Sequence, residues 1–150
     1  MTVDEMVNGN DMALTEDQMM ALVDRHLAAE GAGDVEGAVA VYTDDVEHDP
    51  VGIPGGPFHG RDGARGFYTH LTQQFRTEGE VVLHRTVVDQ QLFMESEMTG
   101  VVIGEMMGIP GNGRSIRFRI FHVFGFRDGL ICREQVWLDW GSVMAQLSAP

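Results

Sequence analysis

Proton-transferring side chains are most informative where they interrupt an apolar pattern, and the strand-like run from 116 to 126 holds such a case. Its alternate positions are Ile116, Phe118, Ile120, His122, Phe124 and Phe126, so His122 is a lone polar group on a greasy face. The next run alternates Leu130, Cys132, Glu134, Val136 and Leu138, which leaves one carboxylate on its own apolar face. A three-residue loop, Arg127-Asp128-Gly129, with glycine taking the positive φ, would pair Phe126 with Leu130, Phe124 with Cys132 and His122 with Glu134. An imidazole facing a carboxylate in an apolar wall is either an acid–base pair or a salt bridge that satisfies two buried groups.

Two more groups belong to the same inventory. His26 lies on the stripe of Met19, Met20, Val23 and Leu27 along a helix and therefore faces inward. Asp49 ends a short strand, Val46 to Asp49, just before Pro50. Buried in an apolar cavity, its charged form would be destabilised and its basicity raised; alternatively it only caps the following loop. His48, its neighbour on an extended strand, is expected to point the other way and is left out of the site.

Metal and redox chemistry find little support. No HxH, HExxH or CxxC motif occurs, and the lone Cys132 has no internal partner. Glu95, Glu97 and Thr99 share a strand face that is either a solvated charged face or, if concave, an acidic wall. A formal net charge of -13 repels phosphate backbones and anionic lipid surfaces, so neither nucleic acid nor membrane is an expected partner. Without a signal-like leader or a long apolar run, the expected compartment is the cytoplasm.

The elements that must position these groups come in a clear order. Residues 1–14 read as a flexible leader and 15–150 as one domain, a length that buries roughly two thirds of the unfolded surface. Thr15 to Gln18 fits a capping box for a helix to about Glu30, and Asp34 opens a second, short helix. The stretch from Pro50 to Gly60 is a loop, and Asp62 is the expected cap of a third helix bearing Phe67, Leu71 and Phe75. Four strands follow, over 80–89, 92–107, 114–126 and 130–139, with Gly100 and Gly104 as bulge positions and a short helix over 142–147. Helices first and strands last, with connections too short for parallel crossovers, predict an α+β fold with a curved antiparallel sheet.

The segments Leu22-Val-Asp-Arg-His-Leu-Ala-Ala29, Gly33-Asp34, Tyr42-Thr-Asp-Asp45, Asp49-Pro-Val-Gly52 and Gly66-Phe-Tyr68 resemble, in order and nearly in spacing, the ketosteroid isomerase pattern. Gly113-Arg114, His122-Val-Phe-Gly-Phe126 and Asp128-Gly129 are similar to the SnoaL-like polyketide cyclase branch of the same nuclear transport factor 2-like superfamily. The resemblance implies a cone-shaped, mixed but mostly antiparallel sheet wrapped around three N-terminal helices. It places Asp49 at the general base, with His26 and His122 where the isomerase carries a Tyr and a protonated acid, and Tyr68 at a second Tyr. It implies a substrate pocket formed by Glu134, Val136, Leu138, Phe118, Ile120, Phe124, Phe67 and Glu97, no cofactor, and an apolar substrate.

The implied function is proton transfer beside a carbonyl in a polyketide- or steroid-like compound, leading to isomerisation or aldol-type cyclisation. A non-catalytic pocket or dimerisation module is the alternative on the same fold. Epoxide hydrolysis by an Asp-Arg-Asp set fits less well, because Val136, Glu97 and Thr99 fall near those places. The opposite sheet face mixes Arg117, Arg119 and Arg133 with Phe121 and Trp137, a composition expected of a homodimer interface or of a face covered by the chain's own tail.

Overall fold

The computed structural model describes residues 13–150. The expected leader therefore lies almost wholly outside the described residues. Helix α1, Glu16–Gly31, opens on the capping box: Thr15 accepts from the Gln18 backbone N–H and Gln18 from that of Thr15. It buries Met19, Val23 and His26. Helix α2, Val35–Val39, is capped by Asp34, whose side chain accepts from the Gly37 N–H.

Strand β1 runs Tyr42–Pro50, twice the length the sequence predicts, and the two-residue strand β2, Phe58–His59, pairs with it. Helix α3, Gly60–Gln74, starts earlier than expected because Gly60, at φ 73°, turns the chain directly out of β2. Asp62 is consequently inside the first turn and pairs with Arg65 instead of capping the helix.

Strands β3 (Phe75–Val88), β4 (Gln91–Val102), β7 (Arg114–Arg127) and β8 (Leu130–Leu138) form an antiparallel meander. Between β4 and β7 a small hairpin, β5 (Glu105–Met106) with β6 (Ile109–Pro110), stands apart from the main sheet. The sequence reading carried β4 through to Met107; in the structure it stops at Val102, so Gly104 lies beyond the strand. The sheet order is β2-β1-β8-β7-β4-β3, and β1 joins β8 in parallel, making the sheet mixed.

The sheet bends where side chains leave room. The register shifts between Thr77 and Gly79 of β3, opposite Gly100, where an added Cβ would lie 2.3 Å from the Phe75 ring. Helix α4, Trp140–Ser148, capped by Asp139, closes one end of the concave face, and Val143 and Leu147 pack there with Phe118, Ile120 and Val136. A second core cluster, around Met19, Val23, Tyr42, Met94 and Phe124, lies under α1. No helix among the described residues is long and apolar enough to cross a membrane.

The β7–β8 turn differs from the expected one. Asp128 (φ 54°) and Gly129 (φ 75°) form a two-residue turn, so Arg127 pairs with Leu130 and Phe126 with Ile131. The register then slips, and Phe124 faces Glu134 while His122 faces Val136. The extra residue near Cys132 restores the inward phase, burying Ile131, Glu134 and Val136 on one side.

Candidate functional site

The parallel pairing of β1 with β8 places His48 beside Glu134 on the concave side. Val46 sets the phase of β1: Val46, His48 and Pro50 are buried, whereas Asp49 is half-buried on the outer side. There Asp49 accepts a hydrogen bond from the Gln135 amide at 3.3 Å, and it is absent from the cavity wall. Asp49 thus does not join the other predicted groups, and His48, set aside on the sequence, does.

Behind Glu134 lies a sealed polar knot. His26 Nδ1 faces the Ala38 carbonyl at 2.8 Å and Nε2 faces Glu134 Oε2 at 3.1 Å, so both ring nitrogens have acceptors and the ring is an imidazolium. Burial works against that charge, but Glu134, with its charge and hydrogen bond, and Glu30 outweigh it and hold His26 up at about 9. Burial likewise opposes the Glu134 carboxylate, yet His26 and His48 keep it well below the usual carboxylate range. The pair is a buried ion pair at 0% and 1% exposure.

Two tyrosines complete the knot. The Tyr42 hydroxyl donates to Glu134 Oε2 and lies 3.0 Å from the Tyr68 hydroxyl, which is 3.2 Å from His26 Nε2. Burial and the Glu134 charge push both phenols well above their ordinary range, so they stay protonated donors. Tyr42 is not among the predicted site residues, because its spacing from Val35, Ala38 and Val39 also fits the apolar face of the short second helix. In the structure Tyr42 is the first residue of β1, paired with Ile131 ahead of the register break that precedes Glu47, so alternation counted back from His48 does not reach it.

The other two imidazoles stand one on each oxygen of Glu134. His122 Nε2 stands 3.7 Å from Oε1, and His48 Nδ1 stands 3.7 Å from Oε2. His122 stacks on Phe124, centroids 5.4 Å apart, and burial lowers it to about 4 against the pull of Glu134. It is a neutral imidazole. Glu134 Oε1, His122 Nδ1 and both nitrogens of His48 are buried and have no hydrogen-bond partner.

These groups border a cavity of about 750 Å³. Its wall contains Tyr68, His48, His122 and Glu134, together with Phe67, Phe118, Ile120, Val136 and Leu138. Phe124 sits behind the wall beneath His122 and His26. Glu97 is on the outer face with Arg117 at 3.5 Å, as Glu95 is with Arg119 at 3.4 Å, so Glu97 is not a pocket residue. Met106, Met107 and Gly108 of the small hairpin form an apolar border of the cavity. Of metal-capable groups among the described residues, His26, Glu30 and Glu134 bring ligand atoms within 4.8 Å of one another, His26 Nε2 lying 3.1 Å from Glu134 Oε2 and 3.6 Å from Glu30 Oε2.

Comparison with known proteins agrees with this architecture. The model of the SnoaL-like domain matches residues 23–134. No curated protein matches the chain. A Jannaschia sp. CCS1 protein provisionally described as a SnoaL-like polyketide cyclase is 25% identical, with a TM-score of 0.80 over 95% of this chain and 99% of its own. TsrD from Streptomyces laurentii is 20% identical, with a TM-score of 0.77 over 91% and 99%. An LEH-like epoxide hydrolase of M. tuberculosis is 16% identical, with a TM-score of 0.69 over 87% and 90%, and shares the fold.

Proposed function

The chain belongs to the SnoaL-like domain family, and on that premise we propose that it is an acid–base enzyme acting on an apolar carbonyl compound of polyketide or steroid type. The reaction is isomerisation or aldol-type ring closure. One observation carries the reading: a carboxylate 1% exposed, with a free Oε1, stands between two imidazoles in the wall of an otherwise apolar cavity. Buried polar atoms left without partners are costly, and a substrate that meets them recovers that cost.

In this reading His48 is the base. Its Nδ1–H is directed at Glu134 Oε2, leaving Nε2 to take the proton from the carbon beside the substrate carbonyl. Glu134 stabilises the imidazolium that forms, as the carboxylate of a catalytic triad does, and the His26 charge favours its ionised form. The C–H electrons pass into the enolate. In ring closure the enolate carbon bonds to a second carbonyl carbon, and the new alkoxide takes the proton back from His48; in isomerisation the proton returns at another carbon. His122, neutral and with Nε2–H toward Glu134 Oε1, offers Nδ1 to a substrate hydroxyl. Asp49, on the far side of β1, has no part in this scheme.

The test is deuterium incorporation beside the carbonyl of polycyclic ketones in D2O, followed by NMR. Wild type is expected to exchange, His48→Asn and Glu134→Gln to lose about 10²- to 10⁴-fold, and Asp49→Asn to stay within a few-fold of wild type. Exchange that survives both cavity substitutions would sink the assignment. Ketones bound without exchange by the wild type would make the chain a binding module.

A further inference from the structure

Four groups surround His26 Nε2: Glu134 Oε2 at 3.1 Å, the Tyr68 hydroxyl at 3.2 Å, the Tyr42 hydroxyl at 3.4 Å and Glu30 Oε2 at 3.6 Å. The other nitrogen, Nδ1, is committed to the Ala38 carbonyl, and the ring itself is fully buried. Glu134, Tyr42 and Tyr68 are at most 2% exposed. Glu30, one helical turn after His26 on α1, is the exception: its side chain is 20% exposed and it lines the main cavity. Glu30 is therefore the most exposed of the four groups around His26 Nε2.

We propose that Glu30 is the proton port of the site, passing protons between water and the buried His26–Glu134 pair. The proposal rests on the acid–base reading above, in which the proton held by His48 must trade with water for deuterium to reach the substrate. The transfer balances without a co-reactant. His48–H⁺ gives its proton to Glu134, His26 Nε2–H gives its proton to the Glu30 carboxylate, and Glu134–H restores His26. The net result is a neutral His48 and a protonated Glu30, which releases to water.

Its surroundings suit it to both forms. Burial, and the charges of Glu134 on β8 and Glu80 on β3, push Glu30 up against the opposing pull of His26, to about 7. Near neutral pH the carboxyl is therefore a donor and an acceptor in comparable measure. Tyr42 and Tyr68, from β1 and α3, face the same nitrogen but remain protonated and serve as fixed donors.

Glu30 acts through His26 and is a positioning residue, so the test follows the His26 proton itself. In ¹⁵N-labelled protein, exchange of the His26 Nε2–H with water is read by NMR across pH 5 to 9 in wild type, Glu30→Gln and Glu30→Asp. Glu30→Gln is expected to slow exchange at least about tenfold and to remove the bend near pH 7, with Glu30→Asp recovering part of the rate. Exchange unchanged in folded Glu30→Gln overturns the port, whatever His48→Asn does to ketone exchange. Loss of ketone exchange in His48→Asn with a normal Glu30 effect supports both; survival of ketone exchange there sinks the catalytic reading alone.

Discussion

At the scale of residues, the His26–Glu134 pair removes two charges from water, a desolvation that only close geometry and further hydrogen bonds can offset. The Ala38 carbonyl and the Tyr42 hydroxyl supply those bonds. Because His26 holds its proton to about 9 in the folded chain and only to about 6.5 unfolded, its contribution is full below 6.5 and fades as pH rises through 9. His122, at about 4, acts at lower pH, and Glu30, at about 7, adds only about 0.4 kcal/mol above pH 7, so His26 dominates the span from 7 to 9.5. Urea denaturation is expected to show a stability loss of about 2 to 3 kcal/mol across that span, absent in His26→Gln. A flat profile would mean that His26 is neutral in the fold.

At the scale of elements, positions that look alike in the sequence separate by what surrounds them. Gly100 of β4 leaves the space filled by the Phe75 ring, and an added Cβ would also lie 2.5 Å from the Arg76 carbonyl, backbone that cannot swing away. Gly66 in α3 has nothing within 4 Å. Gly100→Ala should therefore destabilise by about 1 to 3 kcal/mol, whereas Gly66→Ala should stabilise by about 0.5 to 1 kcal/mol through helix propensity. Thermal melting of the two variants checks both signs, and an unchanged Gly100→Ala would show that β3 and β4 relax together. The phase of β1 is the same kind of question: Val46 inward requires His48 inward and Asp49 outward. That alternation was legible in the chain, and the motif match at Asp49 argued for the opposite face.

At the scale of the whole molecule, the outer sheet face keeps Phe121 at 38% and Trp137 at 39% exposure, their rings 6.1 Å apart and flanked by the Glu95–Arg119 and Glu97–Arg117 pairs. We propose that two copies pair through this face, where aromatic and Arg side chains form the composition of an interface centre. Phe121→Glu with Trp137→Glu is expected to halve the mass in light scattering without lowering the melting temperature. A wild-type monomer at high protein concentration would refute the pairing. The net charge of -13 predicts that this association strengthens with added salt as like charges are screened.

The sequence by itself determined the order of helices and strands, the capping box at Thr15 and the inward, apolar faces that carry His26, His122 and Glu134. Each follows from local periodicity or from side-chain hydrogen bonds a few residues long. What only the tertiary structure decided is which of these groups meet. The parallel joining of β1 to β8 brings together residues 86 positions apart. The two-residue turn alone would set Glu134 opposite Val123, and the one-residue bulge that follows carries it on to Phe124, two places from His122. Side-chain alternation has a period of two, so one residue of register exchanges inside for outside. No local pattern holds that information, and for this reason the carboxylate of the site is Glu134, with His48 beside it and Asp49 behind.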